Sequence, residues 1–287
     1  MQSEKSNLRY PLTWEANLLV AVVSILVLIG SAMGMVFGLA GTLIFAQAFV
    51  IVPALLWIAI RRLPVRTTLR LNPVDGRIAV WSMLIGLACW PVVAGMASLI
   101  EQGLALIGPN PQITYPTGLV ESVIYAFVLI VLAPVSEEPV FRGFVLRAWL
   151  RRGTTLGLVL CGLLFASFHF QLAAFVPLTF WGFVLGLLVH RSNSLYAAMI
   201  AHACYNTVGT LFIIVPSLRD ITWPLVIVGA ITLPITIWLL WSFARRFPVS
   251  EAPLAREDSP WIWTVLSLLA VLAITGLVAV SIYLPLQ

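Results

Sequence analysis

The stretch VIYAFVLIVLAPVSEEPVFRGF, Val123 to Phe144, opens with twelve residues that carry no charge and then places two glutamates and an arginine in the same apolar setting. Roughly 20 apolar residues cross the hydrocarbon of a bilayer, and Leu119 to Val135, running on into the motif, supplies that length. Charged side chains deep in such a span are costly, so they are expected to face the interior of a helical bundle and to have partners.

The rest of the chain has the same character. It is 61% hydrophobic and 9% charged, with a mean hydropathy of +1.04, whereas about a quarter of the residues in a soluble domain are charged. A soluble globular protein is excluded. Further spans are expected at Leu18 to Met35, Leu43 to Ile60, Ile78 to Ile100, Leu156 to Ala173, Phe175 to Val189, Leu195 to Val215, Trp223 to Phe243 and Trp261 to Leu284. Backbone polar groups in lipid must be satisfied within each segment, which leaves helices as the form such spans take. The expected fold is therefore all-α: a polytopic membrane bundle of about eight to nine transmembrane helices around an intramembrane cavity. It forms a single integral membrane domain over 1–287, with 118–210 as its motif-bearing core. Lys5 and Arg9 precede the first apolar run as they would in a signal peptide, but no convincing cleavage site follows, so that run is read as a span.

Charge orients the bundle. With alternating spans, 14 of the 16 basic residues fall on the N-terminal side, among them Arg61, Arg62, Arg66, Arg151, Arg152 and Arg245; Arg219 lies opposite and Arg142 within the motif. The positive-inside rule then predicts a cytoplasmic N-terminus in the cell membrane. The net charge of +5 reflects this topology and contact with anionic lipid, with no nucleic-acid partner. The longest basic loop, Arg61 to Arg77, is expected along the membrane surface, and Gly108 to Pro116 is expected as an outer loop. Cys89, Cys161 and Cys204 lie within apolar spans and have no metal-type spacing, which reads as buried inert thiols. Gly182 and Gly186 read as a close helix contact.

Of the 11 acidic residues, Glu137 and Glu138 alone lie deep in an apolar context. Glu138 and Arg142 are four apart and share a helix face, a spacing that favours an ion pair; Glu137 is turned about 100° away and left without a local cation. Pro134 and Pro139 bracket the pair, so a bent or locally broken helix is expected there. Two other spans carry FASFH, Phe165 to His169, and HACYN, His202 to Asn206, at depths compatible with Glu137. Each motif alone also fits a structural role, since an i, i+4 ion pair or a single intramembrane histidine often only ties helices together. His190, beside Arg191, reads as interfacial.

In order, EEPVFRG, FASFH and HACYN resemble the EExxxR, FxxxH and HxxxN signatures of the family that unites type II CAAX prenyl endopeptidases with bacteriocin-processing and abortive-infection proteins, the CPBP family. The resemblance covers Val135 to Asn206. It implies a helical core around a cavity open toward the cytoplasm, and an intramembrane glutamic endopeptidase acting near the cytoplasmic membrane surface. By position, Glu137 would be the general base, His169 would help hold the water, His202 and Asn206 would stabilise the oxyanion, and Glu138 and Arg142 would orient the site. The implied substrate is a peptide or protein, either a prenylated C-terminal peptide or a leader or signalling peptide. No cofactor is expected. The alternative is a zinc protease with Glu137, His169 and His202 as ligands, although the HExxH spacing is lacking. A non-proteolytic immunity or scaffold protein of the same fold is a second reading. A transporter or proton relay is a third, weakened by the lack of a recognisable inverted repeat.

Overall fold

The computed structural model describes residues 10–106, 114–219, 221–249 and 254–283. Among them the chain is helical with no strand, and eight helices are long and apolar enough to cross a membrane. In order these are α1 (Thr13–Ala32), α2 (Val36–Ile60), α3 (Gly76–Leu104), α4 (Gly118–Arg152), then, after the shorter α5 (Thr154–Phe168), α6 (Phe175–Ser192), α7 (Leu195–Ile214), α8 (Trp223–Arg246) and α9 (Trp261–Ser281). Eight of the nine expected spans thus appear as helices of spanning length, the ninth, Leu156 to Ala173, appears as the shorter α5 ending at Phe168, and the chain is a multi-pass membrane protein. Lys5, Arg9, residues 108–113 of the expected outer loop and Leu284 lie outside the described residues.

Two of the chain reversals fall at glycines. The reversal between α1 and α2 falls at Gly38, whose φ of 68° and ψ of −176° suit a residue without a Cβ. The reversal between α4 and α5 takes a single residue, Gly153, at φ 138°. The antiparallel α1–α2 hairpin is closed at its far end by an ion pair between Glu15 and Arg61. That end of the bundle also gathers the other chain crossings. Glu257, just before α9, accepts from the Thr13 amide at 3.0 Å, the Thr13 hydroxyl at 2.9 Å and Arg152 Nη2 at 3.1 Å. Asn72 donates to the Asn193 carbonyl at 2.8 Å, and Arg191 to that of Ala244 at 3.1 Å. The opposite end holds Arg219, its guanidinium 4.1 Å from the Tyr115 ring centroid. The basic loops therefore share one end of the bundle, as alternating spans require.

The loop Arg61 to Arg77 does not simply lie along the surface. A short helical turn, Val65–Thr68, folds under the bundle, and Leu63, Thr68, Leu69 and Arg70 are buried. The cause is packing: Leu69 sits where a Cβ on Gly143 of α4 would be, 2.5 Å from its Cδ2, so the missing side chain admits the loop. Arg70 also donates to the Arg142 carbonyl at 3.4 Å.

Between helices, small residues set the closest approaches. Gly182 of α6 meets Gly162 of α5, whose Cα would be 2.6 Å from an added Cβ, whereas Gly186 faces Leu158 and Leu146. A Cβ on Gly86 of α3 would lie 2.2 Å from the Ala201 carbonyl oxygen of α7. Gly86→Ala is therefore expected to push these helices apart and destabilise the protein by about 1–3 kcal/mol. Gly276→Ala, where nothing lies within 4 Å, should be neutral or slightly stabilising by helix propensity. Unfolding of the two variants in detergent checks the difference.

Outward faces are apolar, with Leu119 79%, Leu277 73% and Ile60 78% exposed, as lipid contact demands. Cys89 and Cys161 are buried and Cys204 only partly so; all three are free thiols.

Candidate active site

The motif helix α4 runs without a break from Gly118 to Arg152, and it widens twice. Val128–Leu132 and Pro139–Val145 are π-helical turns flanking the α-helical Ala133–Glu138, with Ala133 N–H bonded to the Val128 carbonyl and Leu146 N–H to that of Phe141. Pro139 has no N–H to give, and a wider turn absorbs that loss without breaking the helix. The two glutamates sit on the α-helical segment between these widened turns.

Both are buried, Glu137 at 5% and Glu138 at 0% exposure, yet their surroundings differ. Glu138 Oε1 receives Arg142 Nη1 at 3.0 Å, the i, i+4 pair expected from spacing, and also His202 Nδ1 at 2.7 Å. Glu138 thus ties α4 to α7. Arg142 further donates to the Gly182 carbonyl of α6 at 3.3 Å and lies 4.2 Å from the Phe165 ring centroid of α5. Four helices meet on one ion pair. Phe165 explains the aromatic of the second motif: it is a spacer, with the His169 ring 4.6 Å and the His202 ring 6.0 Å from it, both edge-on.

Glu137 has no such cation bonded to it, and its Oε2 has no hydrogen-bond partner although buried. Gln47 of α2 reaches it. The Ser136 hydroxyl donates to Gln47 Oε1, which turns the Gln47 amide N–H group toward Glu137, to which it hydrogen-bonds.

The two histidines are held in defined tautomers by their acceptors. His169 Nδ1 faces the Phe165 carbonyl at 2.7 Å. A carbonyl only accepts, so Nδ1 carries the proton and Nε2 keeps its lone pair when the ring is neutral. His202 Nδ1 donates to the Glu138 carboxylate by the same logic, leaving Nε2 free. Asn206 donates one amide hydrogen to the Leu129 carbonyl at 2.7 Å, in the first π turn. One amide hydrogen remains.

Glu137, His169, His202 and Asn206 line a single cavity of about 750 Å³, together with Gln47. Its walls are largely apolar and aromatic, including Phe165, Phe168, Trp181 and Tyr205; Trp181 and Tyr205 stack at 4.5 Å. Among the described residues no three His, Cys, Asp or Glu side chains are grouped so as to hold one metal ion. As placed, Glu137, His169 and His202 do not form a ready ligand set.

The cavity lies toward one end of the bundle. Most of its lining comes from the parts of the helices remote from the basic loops, and none of those loops contributes to it.

Sequence reading missed Gln47, Trp181 and the contribution of α9, which lines the cavity through Val278. Gln47 had left a signal: it is the one amide in the apolar run Leu43 to Ile60, and polar groups in such spans usually have a task. Trp181 left none, since its indole is as apolar as the lipid-facing residues around it.

Comparison with known proteins agrees with the motifs. Neither the curated proteins nor the solved structures hold a match. The family model of the type II CAAX prenyl endopeptidase Rce1-like proteins matches residues 119–208, which take in α4 through most of α7 and all three motifs. That segment of the chain, which carries the EExxxR, FxxxH and HxxxN residues around one cavity, is similar to the type II CAAX prenyl endopeptidase, Rce1-like family.

Proposed function

We propose that this protein is an intramembrane endopeptidase in which Glu137 activates a water molecule against a peptide carbonyl. The observation that carries the reading is the Glu137 carboxylate: buried, with one oxygen unpaired, on the wall of a cavity it shares with two histidines and an amide. A buried acceptor without a partner is an expected place for a water molecule.

In this scheme Glu137 takes a proton from water as the oxygen bonds to the carbonyl carbon, and His169 Nε2 accepts the water's second hydrogen to orient it. The carbonyl oxygen becomes an oxyanion. The remaining Asn206 N–H is a donor for that charge, joined by Nε2–H when both nitrogens of His202 carry a proton, in a site with little water to compete. Glu138 holds the His202 ring through Nδ1, and Arg142 offsets the Glu138 charge. When the tetrahedral intermediate collapses, the C–N bond breaks and Glu137 returns its proton to the leaving amine. Gln47 positions Glu137 without entering the chemistry.

The family similarity supports a peptidase, and the residues lining the cavity offer a base, a place for water and oxyanion donors. Purified protein in lipid, given farnesylated and unmodified peptides with and without a chelator, tests this reading by mass spectrometry of the products. Chelator-resistant cleavage is expected. Cleavage that chelation removes and zinc restores would reassign Glu137, His169 and His202 to a metal, and no cleavage of any peptide would count against hydrolysis.

A further inference from the structure

We propose that the cavity is fed from the membrane face opposite the basic end, and that it takes apolar polypeptide segments lying in that half of the bilayer rather than C-terminal tails offered from the cytoplasm. The word substrate rests on the hydrolytic reading above; the side of access does not.

Three independent features point the same way. The first is where the cavity extends. From the catalytic layer it runs past Leu43, Ala97, Tyr125 and Val278 to Ser31 and Gln171, both of which are exposed. Each of these residues lies in the part of its helix, or the loop, away from the basic loops.

The second is what closes the other direction. Toward the basic end, Phe141, Phe144, Trp149, Leu185, Leu188 and Leu195 are each at most 1% exposed. Beneath them the loop bearing Leu69 and Arg70 is folded against Gly143 and the Arg142 carbonyl. A close-packed interior of this kind leaves no path for a chain.

The third is charge. The positive-inside rule assigns the basic, sealed end to the cytoplasm, so the open end faces away from it. The cavity's apolar walls suit an apolar segment, and a volume of about 750 Å³ has room for a short stretch of chain.

Cysteine accessibility tests the side of access. In a Cys204→Ala background, Gln171→Cys at the mouth and Arg66→Cys in the exposed part of the basic loop are treated with a membrane-impermeant maleimide in spheroplasts. Gln171→Cys should react at least about 10-fold faster than Arg66→Cys until the membrane is permeabilised, after which both should react; the reverse order overturns the proposal. Two single-span reporters then place the same apolar test segment in the outer or the inner half of the bilayer, with Glu137→Gln as the inactive reference. Cleavage confined to the outer reporter supports the proposal, and Glu137-dependent cleavage confined to the inner one overturns it while leaving hydrolysis standing. If labelling follows the expected order and neither reporter is cut, the side of access stands and the hydrolytic reading falls.

Discussion

Glu137→Gln is expected to lower peptide turnover by about 10²–10⁴-fold, the range that a positioned general base contributes, while the protein stays folded in the membrane. The substitution keeps the shape of the side chain and its ability to accept from Gln47, but an amide cannot take a proton from water. Because Glu137 Oε2 has no partner to lose, no buried group is stranded by the change. Stability in detergent should move by less than about 1 kcal/mol, since no buried hydrogen bond is broken. The pair of measurements separates the readings of this fold. A scaffold that acts by binding alone would be indifferent to Glu137→Gln in any functional assay, whereas a protein that unfolds on substitution would lose stability and turnover together.

The largest loss of stability is expected from Arg142→Met. Arg142 and Glu138 are both fully buried, and removing one partner of such a pair leaves the other as an uncompensated charge, at a cost of about 3–5 kcal/mol. Arg142 also holds the Gly182 carbonyl and covers the Phe165 ring, so contacts from α4 to α5 and α6 go with it. Replacing both members, Glu138→Leu with Arg142→Met, removes the stranded charge and should recover most of the stability. Turnover should not return, because His202 then loses the carboxylate that fixes its ring at 2.7 Å. Unfolding in detergent and peptide cleavage, measured on the same two variants, check this split. If the double variant is as unstable as Arg142→Met alone, the pair is not the source of the loss.

Much of this molecule was legible before any coordinates. The spans follow from runs of about 20 apolar residues because lipid leaves the backbone no partner except itself. All eight long helices could be found, and the shorter α5 with them. The Glu138–Arg142 pair was legible because helical spacing is a local property. The glutamate that spacing left without a local cation has no cation bonded to it in the fold either, although both glutamates keep one unpaired oxygen. By contrast, the form of α4 was not legible: two prolines predict disruption, but whether a helix breaks, kinks or widens depends on what packs against it. The buried course of the loop after α2 was hidden too, since nothing near Leu69 announces that a glycine 74 positions on leaves it a seat.

Hydropathy and charge are sums over neighbours in the chain, and they fixed the class, the number of spans and the sidedness of the basic loops. The meeting of Glu138 with His202, the reach of Gln47 to Glu137, and the choice of which end of the bundle is hollow and which is filled belong to contacts between segments far apart in sequence. Those depend on how side-chain volumes interlock across helices, a quantity that no single helix encodes.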